Sequence, residues 1–477
     1  MIRLNKNQLR DKIYGCWMGK NIGGTIGGPF EWEENFVEVD GFTTPKGEPL
    51  PNDDLDLQLI FLCALEKFGP GGMSPSLLAD YWIHYMPAAW NEYGIAKSNL
   101  RAGIPAPLSG EIFNDKWKTS NGAWIRSELW ACLTPGYPEI AAQYAFMDGS
   151  VDHGMSEGTH AEIFTTYLEC SAFFNDNIRE IIYSALAAIP EDSRVAQSVR
   201  LAIECYDNGM CLKDAREMLV DNSRDLGMFQ APANIGFVIL GLLYGEGDFK
   251  ESVLSATRCG DDADCTAATV GAFLGILYGT SGIPEDWKEY IGDTIINVAV
   301  DQSFKKVPKT CTELTERTMD MILPMFRFYG LDIEWTDEES ETERGKKEKW
   351  CLEKLVRDPF EGRSRYCYDV YCSPLIRAIV NFNEEPVIKA NGEIGVSVGI
   401  INISEKHVNA QIKLHLPEGF TCEYPHNLRL GCHLDGATMW NATVKAGDDI
   451  GPMNRIIMEV NLAGVAMPAL IPINILG

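Results

Sequence analysis

The chain has 477 residues, 45% of them hydrophobic and 23% charged, with a formal net charge of −27. That composition is globular rather than disordered, and the length is too great for one core, so two or three domains are expected. The acidic balance argues against broad nucleic-acid binding and against an electrostatic hold on anionic membranes, since both need a basic face.

The opening residues, "MIRLNKNQLRDKIYGCW", carry no continuous apolar run and no cleavage pattern, so no signal peptide is predicted. The stretches "IGFVILGLLYG" and "GAFLGILYG" are too short to span a bilayer. Fourteen scattered cysteines then read as reduced thiols in a cytoplasmic protein.

In chain order, "YGCWMGKNIGGTIGGPFEW" (residues 14–32) is a glycine-rich helix whose four-residue spacing permits close helix packing. Its end brings backbone near a ligand at Gly27 and Gly28, with Glu31 following. Residues 50–69, "LPNDDLDLQLIFLCALEKFG", begin a helix with Asp53, Asp54 and Asp56. Apolar residues three and four apart continue as helices to about residue 330. Ser74 with Pro75, and Pro190 with Asp192, look like helix starts. Two long loops, "GFTTPKGEPLPNDD" and "RAGIPAPLSGEIFNDKWKTSNGAW", are candidates for function. Residues 258–279, "RCGDDADCTAATVGAFLGILYG", repeat the acidic helix start with Asp261, Asp262 and Asp264.

Beyond these, residues 334–350 are charged almost throughout, either a solvated linker or an exposed helix. From about residue 375, "EIGVSVGIINIS", "AQIKLHLPEGF", "ATMWNATVKAG" and "NRIIMEVNLAG" alternate as strands do. The predicted fold is therefore mainly α: an all-α domain over 1–333, a charged connecting segment over 334–374, and a small β-sandwich over 375–477.

The two acidic helix starts have a plain explanation and a chemical one. Asp is favoured at the N-cap and in the first turn, where it meets free N–H groups and the positive end of the helix dipole. One cap and one dipole partner satisfy a helix, however, and a third carboxylate mainly adds repulsion. A hard cation such as Mg²⁺ removes it. If the two starts converge, Asn52, Asp53, Asp54, Asp262 and Asp264 supply one or two metal sites.

The glycine helix ending in Glu31, Asn52-Asp53-Asp54, and Gly260-Asp261-Asp262-Ala263-Asp264-Cys265 followed by Ile283-Pro284 and Trp287, in this order, resemble the ADP-ribosylglycohydrolase family. "GAWIRSELWACLTPGYPEIAAQYAFMDGSVDHG" is similar to the middle of a bacterial branch of that family. The resemblance covers roughly residues 8–330 and implies an all-α fold with a binuclear Mg²⁺ centre. The implied reaction cleaves the bond between the anomeric carbon of ADP-ribose and an acceptor, on an ADP-ribosylated protein or a small ribosyl compound. Position by position it makes Asp53, Asp54, Asp262 and Asp264 metal ligands. Asn52 stands at a ligating threonine, and its side-chain carbonyl is able to serve. Cys265 replaces a second threonine with sulfur, a poor partner for Mg²⁺, so that either this ligand is lost or Mn²⁺ is tolerated. Gly24 stands where relatives often carry Asp.

Cleavage of a ribosyl bond passes through an oxocarbenium-like state. A metal pair is able to hold ribose hydroxyls and a water, and an acid or base is needed near the anomeric carbon. Glu31 is the first candidate, with Asp262 sharing proton transfer. His153 matches a family histidine near the substrate; Asn234 and Ser109 are weaker candidates for the pocket wall. Two rival readings remain open: a hydrolase of another ribosyl or N-glycosidic compound on the same metals, and a non-catalytic ligand-binding protein that kept the fold.

Overall fold

Small residues set four apart on two helices decide the centre of the helical region. In the computed structural model, which describes residues 2–404, 406–432 and 435–477, helix α1 (Lys6–Gly27) lies antiparallel against the helix Ala263–Tyr278. A Cβ on Gly15 would lie 2.5 Å from the Gly275 oxygen, on Gly19 2.0 Å from that of Gly271, on Gly23 2.2 Å from that of Ala267, and on Gly27 2.2 Å from that of Ala263. Such backbone-to-backbone contact over four turns is open only to glycine, which has no Cβ. It carries the C-terminal end of α1 to the N-terminal end of its partner.

Around this pair the chain is helical from Lys6 to Phe328, with one hydrophobic core. Helix α2 (Asp53–Phe68) is capped by Asn52, whose side-chain oxygen accepts from the Asp54 N–H at 3.1 Å. Ser74 caps Pro75–Tyr85 as its sequence predicts. Pro190 and Asp192 do not begin a helix: the next one runs Arg194–Asp207, and Ser193, whose hydroxyl takes the Ala196 N–H, is its cap. No helix among the described residues is long and apolar enough to cross a membrane. The cysteines are unpaired.

Strand β1 (Ile2–Asn5) pairs in parallel with β2 (Ile333–Thr336), so part of the charged segment is tied to the N-terminus. Another part is the helix Lys346–Leu355, which buries Cys351 and Leu352. The C-terminal strands are β3 (Tyr366–Ser373), β4 (Ile376–Phe382), β5 (Glu393–Asn402), β6 (Val408–His415), β7 (Thr421–Glu423), β8 (Asn427–Leu430), β9 (Thr438–Lys445), β10 (Met453–Leu462) and β11 (Ala469–Leu476). They form two antiparallel sheets, ordered β3-β4-β5-β9-β7 and β11-β10-β6-β8, around a second core. That core also takes in Ile104, Leu108 and Ile112 from a long loop of the helical region. Polar contacts follow the apolar ones: Asp369 N–H donates to Ala106 O at 3.0 Å, and Arg365 pairs with Glu111.

Candidate metal centre

The close packing of α1 places Glu31 beside the second acidic turn, and two backbone bonds fix the register. Trp32 N–H donates to Asp261 O at 2.9 Å, and Asp261 N–H donates to Glu33 O at 2.8 Å. The turn depends on left-handed backbone at Gly260 (φ 68°) and Asp261 (φ 59°); a Cβ on Gly260 would lie 2.5 Å from Glu33 O. Asp261 points away from the other acids. Its carboxylate accepts from Phe229 N–H at 2.7 Å and from the Asn234 amide at 3.3 Å. It holds the loop, and leaves Asp262 and Asp264 facing inward.

None of the inward aspartates is spent on capping. Asn52 caps α2, and Asp262, at the N-cap of Ala263–Tyr278, makes no side-chain bond to that helix's N–H groups. Their oxygens gather instead. Glu31, Asp262 and Asp264 each bring a ligand atom within 4.8 Å of the others, and so do Asp54, Asp264 and Cys265. Asp264 belongs to both groups. One oxygen of Asp264 is buried with no hydrogen-bond partner, a costly state for a carboxylate, and the Asp54 oxygen that also lacks one has only the Lys20 ammonium, 3.6 Å away.

The electrostatics follow from that crowding. Burial, then the Asp264 and Asp53 charges, push the Glu31 carboxyl up to about 7. Burial and Asp264 raise Asp53 to about 6. Asp54 and Asp262 stand well above the ordinary range, chiefly through burial, with Asp264 adding to both. Like charges are held together here in a low-dielectric setting, a repulsion that a divalent cation would relieve. The donor set fits such an ion on all but one side, where the Cys265 thiol lies 3.3 Å from the Asp54 oxygen to which it donates.

Some residues that shape the centre lie outside the motifs. Asn121 donates its amide to Asp262 at 2.6 Å, and its own oxygen takes the Trp124 indole N–H at 3.0 Å, which fixes the amide's orientation. It sits in one of the long loops flagged by length. Beneath Asp54 lies the fully buried Lys20 ammonium, 3.6 Å from that carboxylate and 2.6 Å from Glu128. Burial works against its charge, yet Glu128 and then Asp54 hold it above its ordinary value. Gln58 completes this floor, donating to Glu128 at 2.8 Å.

The other predicted residues take these places. Asn52, besides capping, reaches Lys20 O at 3.5 Å and occupies the space beside Gly24, where a Cβ would lie 2.3 Å from its amide nitrogen. Gly27 is pressed against Ala263 and Asp264, and Gly28 faces Leu50. Asn234 is buried and holds the acidic turn, accepting from Asp262 N–H at 3.4 Å. His153 is buried one layer behind the centre, 3.3 Å from the Ser120 hydroxyl and 3.0 Å from Asp152. Ser109 donates to Val151 O at 2.7 Å, a bond within the scaffold. Asp56 accepts from Ala299 N–H at 2.8 Å and is raised to about 7 by burial.

A sequence model of the family described as ADP-ribosylglycohydrolase matches residues 5–316. Among curated proteins, ADP-ribosylarginine hydrolase Tri1 of Pseudomonas putida (strain GB-1) is 40% identical over 52 residues, 11% of this chain and 14% of that protein. The protein of the same name from Serratia proteamaculans (strain 568) is 41% identical over 64 residues, 13% of this chain and 17% of that one. Both alignments thus span less than a fifth of the relative's length. A solved structure described as an ADP-ribosylglycohydrolase-related protein complex is 19% identical with a TM-score of 0.44, covering 67% of this chain and 99% of its own.

Proposed function

The chain belongs to the ADP-ribosylglycohydrolase family, and from that premise we propose that it is a divalent-metal-dependent glycosidase, cleaving the bond between the anomeric carbon of an ADP-ribosyl group and its acceptor. The observation that carries this reading is the pair of ligand-atom clusters sharing Asp264, one of whose oxygens is buried without a hydrogen-bond partner. Asp262 and Asp264 would hold one ion, with Glu31 alongside them as the proton carrier, and Asp54 and Asp264 with Cys265 a second, with Asp53 beside both. Mg²⁺ suits the oxygens, and Mn²⁺ better tolerates the sulfur. Bound there, such ions supply a template for ribose hydroxyls and an acidified water.

The residues contribute the rest. A cluster of carboxylates favours positive charge developing at an anomeric carbon, as glycosidase sites do. Glu31, half-buried and poised near neutrality, is the group placed to exchange a proton with water or leaving group. A cation on Asp264 cancels one cause of its high value and turns it towards a base. Asn121 keeps Asp262 oriented. We assign the reaction to residues 1–333 and a bracing role to the sandwich, through its contacts with residues 104–112.

ADP-ribosylated arginine is the first substrate to try, because the two curated relatives are named for it. The metal-loaded chain should release free ADP-ribose from ADP-ribosyl-arginine, chelator should stop it, and Glu31→Gln should abolish release while metal still binds. Metal binding that ADP-ribose does not strengthen would overturn the substrate assignment and favour another ribosyl or N-glycosidic compound. Absence of metal binding would favour a non-catalytic member.

A further inference from the structure

The sandwich carries a second group of metal-ligating side chains, far in sequence from the first. Among the connections that carry the chain from one sheet to the other are β5 to β6 and β8 to β9. Asn402, at 1% exposure, fastens them together, donating its amide to Lys406 O at 2.7 Å and to Gly431 O at 2.8 Å. Its oxygen accepts from the Ser404 hydroxyl at 2.8 Å. Cys432 and Asp435 are bonded to each other: Asp435 N–H donates to Cys432 O at 2.9 Å, and the Asp435 carboxylate accepts from Cys432 N–H at 2.9 Å. Gly431 permits this, since a Cβ there would lie 2.9 Å from the Asp435 carboxylate. Their thiol and carboxylate lie near each other, and His407 meets them from the other connection, its Nε2 3.5 Å from Asp435. The three ligand atoms lie within 4.8 Å of one another, and His407 and Asp435 are about half exposed.

We propose that His407, Cys432 and Asp435 bind a zinc-class dication, at a site separate from the carboxylate centre, that clips the two inter-sheet connections together. Thiolate, imidazole and carboxylate together select a borderline metal such as Zn²⁺ or Co²⁺ and reject Mg²⁺. Tetrahedral metal–ligand bonds of about 2.0–2.3 Å set donors about 3.5 Å apart, the separation His407 and Asp435 already have, and side-chain rotation at this exposed site adjusts the thiol. The fourth position opens to water. Because both connections cross between sheets, an occupied site resists their separation as a cross-link does.

The test uses the full chain, stripped of metal and saturated with Mg²⁺ to fill the carboxylate centre, then titrated with Co²⁺. A sulfur-to-cobalt charge-transfer band should appear and should be lost in Cys432→Ser. It should weaken in His407→Gln and in Asp435→Asn, and persist in Cys265→Ser. Zn²⁺ should displace Co²⁺ and raise the unfolding temperature of the wild type but not of Cys432→Ser. No band, or a band kept in Cys432→Ser, overturns the proposal. A band lost in Cys265→Ser does so too, because the sulfur ligand would then lie in the carboxylate centre.

Discussion

Gly19 and Gly271 meet backbone to backbone, so near that a Cβ on Gly19 would lie 2.0 Å from the Gly271 carbonyl oxygen. The obstacle is main chain, which cannot rotate aside as a side chain can. Gly19→Ala is therefore expected to destabilise by about 1–3 kcal/mol or more, the range for overpacking a tight core. Gly41, with nothing within 4 Å of its added Cβ, is the control. Its alanine variant should stay within about 0.5 kcal/mol. Urea unfolding of the metal-free chain measures both. Equal effects would mean that the helix pair is not held at this distance.

Asp264 is common to both ligand groups, whereas Asp262 and Asp54 each belong to one. Calorimetric titration with Mn²⁺ should then show a graded loss of sites. Asp264→Asn should bind neither ion, while Asp262→Asn and Asp54→Asn should each lose one. All three should unfold cooperatively. Metal-free Asp262→Asn and Asp264→Asn should be no less stable than wild type, because each removes a charge from a repelling cluster, whereas Asp54→Asn also takes a partner from the buried Lys20 and should be less stable. Full stoichiometry in Asp264→Asn would move the metal elsewhere.

The two acidic helix starts, the glycine spacing of α1 and the alternation of β5, β6, β9 and β10 were legible as local patterns of composition and period. The family resemblance picked Asp262 and Asp264 over Asp261, a choice that local composition alone does not make. Asp261 and Asp262 read alike, and only left-handed backbone at Gly260 and Asp261 separates the loop anchor from the candidate ligand. Lys20, Asn121 and Glu128 carry no motif, since their roles arise from contacts across more than a hundred residues, such as Lys20 to Glu128. Strand β3 escaped the pattern because its burial does not alternate: three consecutive residues, Cys367 to Asp369, are buried where the strand meets the helical region.

Acidity should report on the same cluster. Glu31 stands at about 7 and Asp53 at about 6 in the metal-free fold, against ordinary values of 4.5 and 3.8. Below those ordinary values folded and unfolded chains both hold the protons. As pH rises past them the unfolded chain releases protons that the fold retains, so this contribution to stability is lost progressively until the folded groups ionise near 6 and 7. Metal needs the ionised carboxylates, so its stabilising effect should grow across that window. Unfolding temperatures from about pH 5 to about pH 8, with and without Mn²⁺, test both slopes. A metal effect that does not change with pH would count against carboxylate ligation.

Gly24 and Asn52 offer a sharper test, because the structure makes them one feature. Asn52 caps α2, reaches Lys20 O, and fills the space that a side chain on Gly24 would need. Gly24→Asp alone should displace the Asn52 amide and weaken the cap that starts the acidic turn. Threonine at position 52 is shorter and still caps a helix, so Asn52→Thr should make room for the aspartate. A double-mutant cycle should therefore give a favourable coupling of about 0.5–3 kcal/mol, the range for side chains in contact. Cys265→Thr added to that pair replaces sulfur with a hydroxyl beside Asp54 and should shift preference from Mn²⁺ towards Mg²⁺. Strict additivity at positions 24 and 52 would show that the two are independent. The acidic turn would then owe its shape to the Lys20 and Glu128 floor rather than to Asn52.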